Sequence, residues 1–415
     1  MARRAEVGVE GVTMTAPNVS RVGAVQETPA GVGTAPAPAT TSDVRERVRA
    51  AIDRRTPLRL VGRGTWLTAG RPIAAAEPLH LAGLTGIVEY TPGDLTLTAR
   101  AGTTLAEIAA ATAANGQWLA LVPWGGDAGS LGATVATATA GPVAGSLGAP
   151  RDVVIGVEIV TGAGDVIRGG GRVVKNVAGF DLTRLTVGAW GTLGVITEVS
   201  VRLRALPERD ATLALQVPAG SAGVAELLAR VRAAPIAPLA LELVSATAAR
   251  TLSLGPSTLL LVRVAGNGEL VDAQRATLAT LADATDVPGD VWSGLRTIEP
   301  PDATVVRLSG PVARFAETWG AAQRIADAAD GLAHASVLRS VARVILPTES
   351  GALADSSLAA LRGESRDTRI FERLPAALWP VLAPSAVSDR LSRGVRSAFD
   401  PHRLLNPGIL GEPVE

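Results

Sequence analysis

A chain of 415 residues, 47% hydrophobic and 19% charged, is long enough for two or three domains with substantial cores. Its 39 basic side chains balance 39 acidic ones, which argues against a nucleic-acid binder, because neutralising phosphates takes a clustered basic excess. The sequence has no cysteine, which excludes disulfides, a cysteine nucleophile and an iron–sulfur cluster on its own thiolates, so electron transfer here needs an organic cofactor and another subunit as the outlet.

Met1 to Arg4 superficially resembles a twin-arginine signal, but Glu6 and Glu10 interrupt the stretch where an apolar region belongs. Residues 1–41 are Ala, Pro, Thr, Gly and Val without period and read as a disordered tail. The uncharged stretch 128–150 lacks the bulky apolar residues of a membrane span. The expected location is the cytoplasm, with partners as the route to any contact with the inner membrane face.

Ordered structure is expected from a helix after Ser42, since Val44, Val48, Ala51 and Ile52 recur at helical spacing. Residues 58–61 read as a buried strand running into Gly62, Arg63, Gly64 and Thr65. Strands are expected at 87–90 and 95–100. Thr104 and Glu107 form a capping-box signature for a helix ending at Gly116. A strand at 118–122 would complete a βαβ-type unit. The glycine-dense stretch 123–150 suits close approach of backbone to a large ligand. Residues 153–160 and 166–167 read as a hairpin, 195–203 as a strand, and Pro207 closes the region. Further strands at 212–217, 239–243 and 259–264 mark a second α+β domain, and FDPHRLLNPGIL predicts an ordered, non-helical close over 395–410.

The Rossmann fingerprint fails, because Leu67 stands where the third glycine belongs, and no Gly-Lys-Ser/Thr supports a Walker loop. Three separated glycine loops remain, at 62–66, 123–148 and 191–196. On these loops, residues 44–208 resemble the FAD-binding domain of the vanillyl-alcohol oxidase and p-cresol methylhydroxylase type. The run GGRVVKNVAGFDLTRLTVGAWGTLGVITEVSVRL, with the C-terminal FDPHRLLNPGIL, resembles in particular the FAD-binding E subunits of bacterial glycolate oxidases.

That resemblance implies an α+β fold: a p-cresol methylhydroxylase-type domain of two α/β subdomains over 42–208, a smaller α+β cap over 209–394, and a segment 395–415 returning to the FAD domain. It implies that Gly62, Arg63, Gly64, Thr65 and Trp66 cradle the pyrophosphate. Pro123, Gly125, Gly126, Asp127, Gly129, Ser130, Leu131 and Gly132 would approach the ribityl and pyrophosphate portion. Gly141, Gly145 and Gly148 would border the isoalloxazine, and Gly194, Val195 and Ile196 would meet the adenine end. Lys175, the single lysine beside 38 arginines, sits inside the matching run, where a compact point charge could be accepted and a planar fork refused. The arginines themselves read as compositional background.

The family's chemistry passes a hydride from an alcohol carbon to flavin while a base takes the hydroxyl proton. Only His80, His334 and His402 exist, none in the first two glycine loops, so FAD is expected to be noncovalent. The cap lacks the relatives' His-rich Gly-Asp-Gly segment. The catalytic residues are therefore unknown, with Lys175 and His334 as weak candidates, His334 reading first as a satisfied structural histidine; no metal site is expected. The leading expectation is an FAD subunit of a glycolate oxidase-like complex that oxidises a 2-hydroxy acid, with a sister FAD subunit and a cysteine-rich iron–sulfur subunit as partners. The alternatives are a non-catalytic FAD-binding assembly or electron-relay subunit, and a stand-alone sugar or lactone oxidase.

Overall fold

The computed structural model describes residues 37–73, 76–171, 181–348, 352–363 and 366–412. Helix α1 (Thr41–Arg54) begins ahead of Ser42 because Thr40 caps it reciprocally: Asp43 N–H donates to Thr40 Oγ1 at 3.2 Å, and Thr40 N–H to the Asp43 carboxylate at 3.0 Å. Its inner residues Val44, Val48 and Ala51 are fully buried. Strands β1 (Leu58–Val61) and β2 (Glu77–His80) then pair in parallel.

The next stretch supplies β3 (Ile87–Thr91), β4 (Thr96–Arg100), α2 (Leu105–Ala113), β5 (Gln117–Trp118), α3 (Leu131–Thr137), α4 (Ala144–Leu147) and α5 (Pro150–Val153). It continues through β6 (Val154–Val160), β7 (Val166–Gly170), α6 (Leu182–Thr186), β8 (Val195–Arg202) and β9 (Arg204–Ala205). Five of the strands form one sheet in the order β3-β4-β8-β6-β7, antiparallel throughout. Leu97, Ala99, Ile159, Val199 and Val201 share a core with α1 and with Ile108 of α2. The expected βαβ unit does not form, because β4 lies in this sheet while the short β5 pairs with β9. Leu119, Ala120 and Leu121 are buried as a connector rather than paired, and a short apolar run does not distinguish the two by pattern.

Beyond β9 come β10 (Arg209–Gln216), α7 (Gly220–Ala233), β11 (Ala240–Val244), α8 (Ala246–Thr251), β12 (Leu259–Gly266), α9 (Gly268–Ala279), β13 (Ala284–Val287) and α10 (Val291–Arg296). They are followed by β14 (Thr304–Ser309), α11 (Phe315–Asp327), β15 (Leu332–Ser336), β16 (Val341–Leu346), α12 (Asp355–Arg362), β17 (Thr368–Arg373), α13 (Trp379–Leu382) and α14 (Arg390–Phe399). The eight strands form one sheet, β13-β10-β12-β11-β15-β16-β14-β17, the largest among the described residues. Alternation divides its faces. Leu241, Leu243, Ala333, Ala335, Ala342, Val344, Val306 and Leu308 pack on α7, α9 and α11. The opposite face carries Glu242, His334, Ser336, Arg343 and Arg307, and the register sets His334, Arg343 and Arg307 side by side on three adjacent strands.

Helix α14 reaches Phe399, so the expected non-helical close begins only at Asp400, where Pro401 stops the helix. The remainder lies along β1: Leu58 N–H donates to Leu404 O at 2.7 Å and Asn406 N–H to Leu58 O at 2.9 Å. Among the described residues no helix is long and apolar enough to cross a membrane.

Candidate functional site

Strand β1 delivers the first glycine loop to a cleft lined by Gly62, Arg63, Gly64, Thr65, Trp66, Ser130, Gly132, Trp190, Gly191, Gly194, Ile196 and Asn406. Gly64 holds φ +76°, a left-handed turn that favours glycine. The N–H groups of Arg63, Gly64, Thr65 and Trp66 donate to no acceptor among the described residues, and Arg63 to Thr65 are exposed. An open run of backbone donors after a strand is a fit for phosphate oxygens. The first and second loops touch here: a Cβ on Gly62 would lie 2.7 Å from Ser130 Oγ. Asn406 closes the far side, its Oδ1 accepting from Leu60 N–H at 2.8 Å and its Nδ2 donating to Trp190 O at 2.7 Å.

The second loop is held from the eight-stranded sheet and its helices, termed the cap below. Arg296, at the end of α10 and 7% exposed, donates through Nε to Pro123 O at 2.7 Å and through Nη2 to Asp127 Oδ1 at 2.6 Å, while its carbonyl accepts from Gly125 N–H at 2.8 Å. Asp127 therefore serves as a docking partner of the cap. Between these anchors Trp124 inserts into the charged face of the cap sheet, its ring 4.4 Å from that of His334 and 5.0 Å from the Arg343 guanidinium. Trp66 extends the contact, with Arg373 5.8 Å from its ring and its buried Nε1 without a partner.

That face is an ionic network. Arg343, almost wholly buried, pairs with both Glu299 and Glu372; Arg373 reaches Glu299 at 3.3 Å and Arg307 reaches Glu372 at 3.6 Å. Burial alone would raise the Glu372 carboxyl, but Arg343 and Arg307 reverse this and hold it below its usual range. Glu242 has no such pairing. Burial pushes its carboxyl up to about 8, so it is protonated at neutral pH. Burial, with Arg343 beside it, keeps the His334 imidazole well below its usual value and neutral. His334 Nδ1 lies 3.5 Å from Glu242 Oε2, and its Nε2 has no partner.

The structure thus gathers the 62–66 loop, Ser130, Gly132, Gly194 and Ile196 into one cleft, with Gly125, Gly126 and Gly129 on the adjoining loop. It places others differently. Leu131 and Val195 are core residues. Gly141, Gly145 and Gly148 meet protein: a Cβ would strike Val122 O, Leu338 Cβ and Asp152 Cβ respectively, which explains the glycines by packing between loop, cap and helix. His334 is only half satisfied and faces the second glycine loop, a correction to the structural reading. Lys175 lies outside the described residues. The arginines read as background include Arg296, Arg307, Arg343 and Arg373. Their signal was alternation: each of Arg307 and Arg343 interrupts an apolar strand at a position whose neighbours are buried.

Residues 35–170 match the family described as FAD binding domain. The chain is 44% identical over 172 residues to glycolate oxidase subunit GlcE of Escherichia coli (strain K12), covering 41% of this chain and 48% of that protein. It is 33% identical over 207 residues to glycolate oxidase subunit GlcD of Bacillus subtilis (strain 168), covering 50% and 44%. The chain thus spans about half the length of these curated relatives. Its fold superposes on p-cresol methylhydroxylase with substrate bound at a TM-score of 0.72 and 15% identity, over 90% of this chain and 88% of that one. Residues 35–170 thus match an FAD binding domain, and the fold is the one seen in p-cresol methylhydroxylase. FAD is its cofactor, and the open amides of the 62–66 loop, the Gly62–Ser130 contact and the unpartnered Trp66 Nε1 are the features of this cleft that fit it.

Proposed function

We propose that this chain is an FAD-dependent oxidoreductase subunit of a glycolate oxidase-like complex, converting a 2-hydroxy acid such as glycolate to the 2-oxo acid. The observation that carries the reading is the meeting of the second glycine loop with the charged face of the cap at Trp124, His334 and Arg343. Bound FAD supplies a hydride acceptor for the carbinol carbon. The chain supplies the rest. The 62–66 amides and the 125–129 loop hold the cofactor noncovalently, and the capping sheet excludes water. His334 Nε2, neutral and free of a partner, accepts the hydroxyl proton. With no cysteine in its 415 residues, the chain passes electrons to a partner, for which a sister FAD subunit and a cysteine-rich iron–sulfur subunit are the proposal.

The test is anaerobic mixing of the purified yellow protein with glycolate. Bleaching of the flavin band by this chain alone supports catalysis in this subunit, and bleaching only after a partner is added supports the relay reading. Protein that takes up no FAD on supplementation contradicts both. Flavin released by acid denaturation identifies noncovalent attachment, and flavin retained on the precipitate excludes it.

A further inference from the structure

Trp190 holds φ +53°, a left-handed conformation that a bulky side chain rarely takes. Other non-glycine residues in that region have an ordinary reason: Arg55, Leu95, Ala138 and Ser340 each terminate a helical segment. Trp190 terminates none, since α6 ends at Thr186 and is capped by Val187. It sits between Gly188 at φ +81° and Gly191 at φ +69°, so a tryptophan occupies a turn whose backbone asks for glycine. Strain of this kind persists only where neighbouring bonds over-determine it, and it gathers at ligand sites. Those bonds are present. Gly188 N–H donates to Val135 O at 3.0 Å and Trp190 N–H to Ala136 O at 2.8 Å, both carbonyls of the last turn of α3, while Trp190 O accepts from Asn406 Nδ2 at 2.7 Å.

Packing does not offset the strain. Trp190 belongs to none of the buried apolar clusters among the described residues, and its ring makes no aromatic or cation contact there. A Cβ on Gly70 would lie 2.8 Å from Trp190 Cζ3 and 3.2 Å from Ile409 Cγ1, so one edge of the indole rests on a glycine. The half-buried residue is instead a wall of the cleft that the 62–66 loop enters. Helix α3 joins the two. Its first turn meets the loop, where a Cβ on Gly62 would lie 3.3 Å from Ala133 Cβ, its last turn holds Trp190, and Gly132, Ala133 and Ala136 line the cleft between them with small side chains. Seven residues at 1.5 Å each separate loop and tryptophan by roughly 10 Å along the helix, a span that the sugar arm on either side of a pyrophosphate bridges.

We propose that Trp190 is an aromatic platform for FAD: one planar ring system of the cofactor seats against its indole while the pyrophosphate lies on the 62–66 amides. The left-handed backbone is retained because it presents that ring to the cleft. Stacking on tryptophan accepts any flat heterocycle, so the chemistry is shared by adenine and isoalloxazine. The platform serves the cofactor and holds whichever substrate is oxidised.

The experiment titrates FAD into full-length apoprotein, followed by quenching of flavin fluorescence, beside thermal melting of the apoprotein alone. Trp190→Asn removes the ring and keeps a side chain that tolerates the left-handed region. It is expected to bind FAD about tenfold or more weakly, with an apoprotein melting temperature equal to or above that of wild type. Trp190→Phe keeps an aromatic face and should fall between wild type and Trp190→Asn; it also serves if the asparagine variant does not fold. Trp118→Phe, in the β5–β9 ribbon outside the cleft, should bind FAD as wild type does. Competition by AMP and by FMN, the two halves of FAD, identifies the ring. A loss confined to AMP assigns adenine, a loss confined to FMN assigns the isoalloxazine, and either upholds the platform. Unchanged FAD affinity in Trp190→Asn overturns it. So does an apoprotein that melts lower in proportion to the lost affinity, or an equal loss for both halves, since the indole would then only hold the turn in shape.

Discussion

Arg296 in the cap and Asp127 in the second glycine loop form an ion pair at 2.6 Å, and the same guanidinium holds the Pro123 carbonyl at 2.7 Å. Arg296 is buried while the Asp127 side chain is 55% exposed, so solvent screens part of the pair and the Pro123 bond carries more of the effect. Arg296→Ala is expected to destabilise the protein by about 1 to 3 kcal/mol through the orphaned Pro123 carbonyl and the lost pairing. FAD affinity, read by quenching of flavin fluorescence on titration into apoprotein, should fall with it. Asp127→Asn should do less. An Arg296→Ala variant with wild-type FAD affinity removes the loop from the cofactor's energetics.

Gly64 tests the first loop by itself. An alanine there must hold φ near +76°, at a cost of roughly 1 to 2 kcal/mol, with no contact closer than Leu67 Cδ1 at 3.7 Å to confuse strain with clash. We expect Gly64→Ala to bind FAD more weakly, with only a modest fall in apoprotein melting temperature. Equal losses in apo and FAD-loaded protein would show a folding defect unrelated to the cofactor.

Asn406 links the C-terminal segment to both β1 and the turn at Trp190, and it sits at φ +45° with 5% exposure. Asn406→Leu orphans Leu60 N–H and Trp190 O and adds left-handed strain, for an expected loss of about 2 to 4 kcal/mol. Chemical denaturation measures it. A change below 0.5 kcal/mol on the scale of ordinary surface substitutions would mean that these bonds are replaced by water.

The Glu242 and His334 pair sets a pH signature. The Glu242 carboxyl, ordinarily near 4.5, is raised by burial to about 8, so between those values the folded protein keeps a proton that the unfolded chain releases, and stability declines as pH rises through the interval. His334 acts oppositely: below its usual 6.5 the unfolded imidazole takes a proton that the folded one refuses, so stability declines as pH falls. Above pH 6.5 the Glu242 effect acts alone, giving a fall of about 2 kcal/mol from pH 6.5 to 8, while below 6.5 the His334 effect opposes it. Glu242→Gln should abolish the fall above 6.5 and leave stability rising with pH just below it, as followed by denaturation midpoints across that range.

Much of the FAD domain was legible in the residues. The Thr104 and Glu107 box caps α2, and the alternation of β4 and β8 fixed their buried faces. The 62–66 loop read directly from strand followed by glycine. What stayed hidden was whatever depends on tertiary partners. The apolar 119–122 run is a buried connector, because no neighbouring strand offers it a register. Asp127 matched a cofactor motif, yet its partner, Arg296, lies 169 residues away. The cap's charged face was masked by composition: among 38 arginines, those that interrupt buried strands look no different from those on the surface until the sheet is assembled.

The three bonds from Arg296 have one more consequence, for kinetics. If the cap sheet lifts, Pro123, Gly125 and Asp127 move with it or their bonds break first. With FAD held by this loop as proposed, lifting of the cap is expected to free the cofactor, so the residence time of FAD and the breathing rate of the cap should share one clock.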